Sequence, residues 1–226
     1  MTRLLAVTAS SPGAGKSTLC DGLVAWLRAQ GLRVDHFREE EVLTREAFAP
    51  LAQEFSAGGE VQLSTLLDTT EDYLGRLDAQ GVDVAVTDAL VPFIPSLRGW
   101  GHDESGIADF LRDLEARLMG SDPIVVYLDE EPPRALARAI EREGPAWQDW
   151  FLTKLGSYPV EPPVRDLEGA HAYFRYERTV TLRLLEDLPW QVIVVPQSDP
   201  PSAADVLHTA RRQLEPLLVP PANPGP

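Results

Sequence analysis

Lysine is almost missing from this chain. Lys16 and Lys154 are the only two among 20 basic residues, so nearly every cation is an arginine. A lysine that persists against that habit marks a place where a compact ammonium is expected to matter. Cysteine is rarer still: Cys20 stands alone, which excludes an intrachain disulfide and a cysteine-rich metal site. Long apolar runs are absent, and none approaches the ~18 residues needed to cross a bilayer. Met1-Thr2-Arg3 leads straight into a strand-like run without a signal-peptide pattern, so a cytoplasmic location is expected. Positive charge is also short, with 20 basic against 35 acidic residues and a net charge of −15. A broad nucleic-acid surface or an anionic membrane calls for the opposite sign, so neither is an expected partner. Any phosphate must be met in a focused pocket.

What is present reads as one globular α/β unit. Apolar residues are 44% and charged residues 24% of the 226, close to a globular average. Leu4 to Ala9 is a nearly unbroken apolar run, as expected of a central parallel strand. After a Gly/Pro/Ser loop, Leu19, Leu23, Trp26 and Leu27 recur at helical spacing from Ser17 to Gln30. Further strands are predicted at Arg33–Arg38, Val82–Asp88, Ile124–Leu128 and Gln191–Val195. Helices are predicted at Val42–Glu54, Glu60–Gln80, Asp103–Met119, Pro132–Glu143 and Gly169–Glu186, and after a Ser202 cap. Ala89–Gly101 and Gly144–Glu168 read as irregular, and Pro220–Pro226 as an unpacked tail. Five strands alternating with helices predict a three-layer sandwich, a mostly parallel sheet covered on both faces.

The clearest chemistry follows the first strand. Ser10-Ser11-Pro12-Gly13-Ala14-Gly15-Lys16-Ser17-Thr18 runs from strand to helix. A glycine-rich turn there can converge backbone N–H groups on one anion, and the helix aims its positive end at the same point. The run resembles the P-loop, or Walker A motif, with Ser10 where the first glycine usually stands. Residues Ser11 to Thr18 would then cradle nucleotide phosphates. Lys16 would reach the transferring phosphates, and Ser17 would ligate Mg²⁺. Asp88 closes the third strand as a Walker B carboxylate would, either organising Mg²⁺ or accepting a hydroxyl proton. A cap for the next segment is its plainer role.

Together these segments resemble the P-loop nucleoside/nucleotide kinase superfamily over residues 3 to 217. The resemblance implies a strand order of 2-3-1-4-5, Mg-ATP as donor and a closing lid. It makes residues 1–218 one domain with a lid about 130–168, followed by a flexible tail 219–226. Phe37-Arg38-Glu39 looks like the Arg-Glu pair of thymidylate kinases, which offers an acceptor grip and a base; a solvated acidic helix start fits equally well. Tyr127-Leu128-Asp129 and the following Arg134, Arg138 and Arg142 look like a fourth strand and a lid helix. Their four-residue spacing puts the three guanidinium groups on one face, to meet phosphate or to pair with Glu141 and Glu143 in solvent. Arg98 and Trp100 lie after Asp88 and are candidate acceptor contacts. Asp88-Ala89-Leu90 replaces the Asp-Arg-Ser/Tyr signature of deoxynucleoside kinases.

The expected activity is ATP-dependent phosphoryl transfer to a small-molecule hydroxyl or phosphate, with Lys16, Asp88, Glu39 and Arg138 at the centre. The segment Ala25–Val34 also looks like the opening of dethiobiotin synthetase and cobyrinate amidase-type proteins, which activate carboxylates. A non-catalytic ATP-binding module is a third reading. The sequence leaves the acceptor open, and a homodimer with it.

Overall fold

The computed structural model describes residues 1–57, 61–88, 90–197 and 202–219. The helix start expected at Glu60, Ala89 and the tail Pro220–Pro226 lie outside them. In chain order the elements are β1 (Arg3–Thr8), α1 (Lys16–Ala29), β2 (Val34–Phe37), α2 (Ala49–Ser56), α3 (Leu63–Ala79), β3 (Val84–Thr87) and α4 (Ile94–Gly99). They continue with α5 (Glu104–Arg117), β4 (Ile124–Asp129), α6 (Pro132–Glu143), α7 (Pro145–Gly156), α8 (Leu167–Glu186), β5 (Gln191–Pro196) and α9 (Ala203–Leu218). All four strand pairings are parallel, in the order β2-β3-β1-β4-β5. Leu5 of β1 lies beside Val86 of β3 on one side and Ile124 of β4 on the other.

The two-residue period of β1 divides the interior. Leu4 and Ala6 join Ala85, Val125, Tyr127 and the apolar faces of α3, α5 and α8 on one side of the sheet. Leu5 and Val7 join Val84, Val86, Val126, α1 and α9 on the other. Leu23 and Leu27 of α1 are fully buried there, worth roughly 1.5–3 kcal/mol each. A third, smaller cluster centres on Leu136, Leu155, Val164, Tyr173 and Phe174, between α6, α7 and α8.

Three stretches differ from the sequence reading. Gly144–Glu168 is not irregular throughout, because α7 occupies its first half. Gly144 takes φ +88 ahead of Pro145, a geometry that starts a helix abruptly. Trp147, Phe151 and Leu155, four apart, then face inward; Phe151 stacks on Trp147 at 4.6 Å and on Phe174 at 6.0 Å. Ala89–Gly101 contains the short helix α4. Val42–Glu54 resolves into a 3-10 turn at Glu46–Phe48 and then α2. The Ser202 cap is as expected, its side chain accepting from the Asp205 N–H.

Candidate functional site

In an open parallel sheet, ligands collect beyond the carboxyl ends of the strands. The singled-out side chains all belong to the segments that follow β1, β2, β3 and β4. The loop after β1 turns on two glycines, Gly13 at φ +79 and Gly15 at φ +88. A Cβ on Gly13 would stand 2.0 Å from the Ala135 carbonyl oxygen, so α6 packs directly on the loop. Ser10 has no positive φ, which is why a residue with a Cβ is accommodated at the usual glycine position.

Lys16 opens α1 and lines a cavity of about 250 Å³ with Ser10, Ser11, Pro12, Glu39 and Asp88. Ser17 Oγ donates to Asp88 Oδ2 at 2.6 Å, joining the first turn of α1 to the end of β3. The other Asp88 oxygen, Oδ1, is buried without a partner. A hydroxyl and a carboxylate in contact, one oxygen still unsatisfied, suit Mg²⁺, which takes one or two protein oxygens and keeps several waters. These residues therefore fit the metal expected from the sequence.

The far wall of the same cavity comes from α7, α8 and the segment after β3. Phe151, Lys154, Tyr173, Phe174 and Glu177 line it opposite Lys16, with Phe93 beside them. Phe93 adopts a left-handed backbone, φ 62, at the start of α4, a strained geometry for a residue with a side chain. Both lysines of the chain thus border one cavity. Glu177 is 1% exposed, and burial pushes its carboxyl up to about 8, while Tyr173, Arg98 and Lys16 act in the opposite direction.

The arginine row is placed differently from the expected phosphate clamp. Arg138 donates through Nη1 to Glu130 Oε1 at 2.7 Å, and its other amino group meets both Glu130 Oε2 and, at 3.0 Å, the Gly13 carbonyl. Arg134 approaches the same Glu130 at 4.0 Å, and Arg142 pairs with Glu143 in solvent. None of the three borders the cavity at Lys16. The physical reason is local pairing: the buried Glu130 carboxylate, 2% exposed, engages Arg138 and approaches Arg134, while Glu143 holds Arg142. Arg138 instead edges a recess of about 110 Å³ with Gly13, Gly15, Thr18 and Gln197, and Gln197 Nε2 donates to the Ala14 carbonyl at 2.7 Å.

The acceptor-side expectations divide. Glu39 borders the main cavity, whereas Arg38 turns away to Asp21 at 2.9 Å. Arg98 is buried but lines the neighbouring groove, its guanidinium 4.8 Å over the Tyr176 ring. Trp100 is exposed and meets Phe55 edge-on at 6.3 Å, apart from the cavity. The sequence reading did not assign Lys154, Phe151, Phe174, Glu177 or Glu130 to the site. Glu177 had a visible signal: Tyr173, Glu177, Val180 and Leu184 recur at helical spacing along the buried face of α8. Among the described residues no helix is long and apolar enough to cross a membrane. In comparisons with known proteins, no family model and no curated protein matches the chain.

Proposed function

We propose that the chain is a Mg-ATP-dependent kinase that transfers the γ-phosphoryl group of ATP to a hydroxyl or phosphate of a small molecule. The observation that carries this reading is the Ser17–Asp88 contact of 2.6 Å, whose carboxylate lines one cavity with Lys16. The contact joins a phosphate-loop hydroxyl to a carboxylate from a neighbouring strand, and the cavity adds an ammonium, so that three groups used in phosphoryl transfer lie together.

The loop amides from Ser11 to Thr18, with the start of α1, would hold the phosphates. Lys16 would place its point charge on the oxygen that gains charge as the phosphoryl group moves. Ser17 and Asp88 would hold Mg²⁺, whose contribution is charge neutralisation across the phosphates. The base of the nucleotide would sit in the recess between Arg138 and Gln197, on the outer side of the loop. Glu39, at the rim, would accept the acceptor's proton, because Asp88 is committed to Ser17. Arg138 then serves by steadying the loop through the Gly13 carbonyl.

Titration with Mg-ATP and an acceptor screen read by mass spectrometry test the reading. Wild type should bind Mg-ATP and form a stable phosphate ester, and Lys16→Ala should lower transfer by at least about 10²-fold. Transfer by Lys16→Ala equal to that of the parent would overturn it.

A further inference from the structure

Buried polar atoms without partners are few in native structures, and each one calls for an explanation. Here they gather. Asp88 Oδ1 is buried without a partner, Tyr173 Oη and Glu177 Oε1 have none beyond each other, and all three residues line the cavity that Lys16 lines. Asp88 is accounted for by the proposed metal. Tyr173 and Glu177 stand one helical turn apart on α8, 7% and 1% exposed, at the end of the cavity formed with α7. Nothing in the phosphoryl-transfer reading uses them. Each has only the other as a hydrogen-bond partner, so both keep capacity unused that one bound polar group would take up.

The charges around that end restrict what can enter. Among the described residues no arginine lines the cavity; its cations are Lys16 and Lys154, its acids Glu39, Asp88 and Glu177. Lys16 and Asp88 are taken up by the nucleotide and its metal. The acceptor is left with one ammonium, one carboxylate and the buried Glu177. A phosphorylated acceptor would bring about two negative charges to a single lysine, in a protein of net charge −15. Arg98, whose charge acts on Glu177 from behind Tyr173, lines the neighbouring groove instead, and Arg38 and Arg45 are tied to Asp21 and to Asp35 and Glu41. The remaining walls, Phe93, Phe151 and Phe174, are aromatic, which suits a flat ring. At about 250 Å³ the space is small, room for on the order of eight waters.

We infer that the acceptor is a small, uncharged, ring-bearing alcohol, and that Tyr173 and Glu177 recognise a polar group on the ring, away from the hydroxyl that receives phosphate. This rests on the kinase reading and narrows it from hydroxyl or phosphate to hydroxyl alone. With its carboxyl held protonated near neutrality, Glu177 offers one donor and one acceptor, the pattern that reads a ring amide, imide or hydroxyl. Arg98, Tyr158, Tyr127 and Lys16 are the other titratable or charged groups that act on it or feel it, and none forms a salt bridge with it.

The test uses the full chain with Mg-ADP for calorimetry and Mg-ATP for transfer. Thymidine, pyridoxine and 4-hydroxybenzyl alcohol are each offered beside the corresponding phosphate ester and an amine analogue. At least one uncharged member should accept phosphate and bind at least about tenfold more tightly than both charged counterparts. Glu177→Gln, which keeps a donor and an acceptor, should stay within about threefold of the parent for that acceptor. Glu177→Leu and Tyr173→Phe should raise its KM by about tenfold or more, the loss of a buried hydrogen bond. Melting temperature and Mg-ATP affinity report separately on fold and nucleotide site, and if Glu177→Leu does not fold, Tyr173→Phe carries the comparison. Tighter binding of an ester or an amine, no binding of any uncharged member, or an unchanged KM in Tyr173→Phe overturns the inference. Failure of the kinase reading would appear elsewhere, as absent Mg-ATP binding or full transfer by Lys16→Ala.

Discussion

At the scale of single residues, Glu177 is a carboxyl held in an environment that disfavours its charge. A carboxyl whose folded pKa is raised favours the native state most below its unfolded pKa and loses that advantage as pH climbs toward the folded value. For Glu177 the window runs from about 4.5 to about 8. Within it the native state should lose stability steadily as pH rises, because the unfolded carboxyl releases its proton before the folded one does. Glu177→Gln removes the slope. The melting temperature of the variant should therefore gain on that of the parent between pH 5 and pH 8, and parallel curves would refute the assignment. Gly13 carries a second residue-scale expectation. With φ +79 and the Ala135 oxygen 2.0 Å from any added Cβ, Gly13→Ala must move α6 or distort the loop. Affinity for Mg-ATP should fall at least about tenfold, since backbone strain alone is of order 1–3 kcal/mol. Gly15 has open space where its Cβ would stand, so Gly15→Ala should show the strain without the collision and be milder.

At the scale of elements, α6 is where the sequence reading and the structure part most usefully. Four-residue spacing placed Arg134, Arg138 and Arg142 on one face, and periodicity can do that much. It could not show that Glu130, two residues before the helix, is buried and engages two of them. The strands were legible because apolar runs of four to six residues have few other homes, and alternation along β1 assigns its residues to opposite cores. Helix α7 was obscured by its prolines and glycines, although Trp147, Phe151 and Leu155 carried a helical period. The acid on α8 was obscured by its type: helical glutamates usually face water, so its place within an apolar stripe went unused. Measurement can separate a latch from a clamp at Arg138. Its guanidinium is 33% exposed and its partner 2%. Arg138→Ala should cost on the order of 2–3 kcal/mol, below the ~3–5 of a fully buried broken pair. Replacing both partners, Glu130→Leu with Arg138→Met, should recover part of that loss. A large fall in kcat with an unchanged melting temperature would instead make Arg138 a phosphate-gripping arginine.

At the scale of the whole molecule, the charge distribution sets how nucleotide arrives. The chain carries −15 overall, yet the phosphate loop holds one ammonium in a cleft and few other cations near it. A basic, steered protein binds polyanions more slowly as salt rises, because screening weakens attraction. Here the far field has the opposite sign. Mg-ATP, itself anionic, must cross a repulsive region before the loop amides and Lys16 act on it at short range. Screening at a Debye length of about 8 Å, near 0.15 M salt, removes most of that repulsion and leaves contacts inside the cleft almost untouched. The association rate of a fluorescent ATP analogue, followed by stopped flow, should therefore rise between 20 mM and 150 mM salt. Its dissociation rate should change little, because it reports on the desolvated loop contacts. An association rate that falls with salt would mean that the Lys16 end of α1 dominates the field well beyond the cleft, against the balance of charge in the chain.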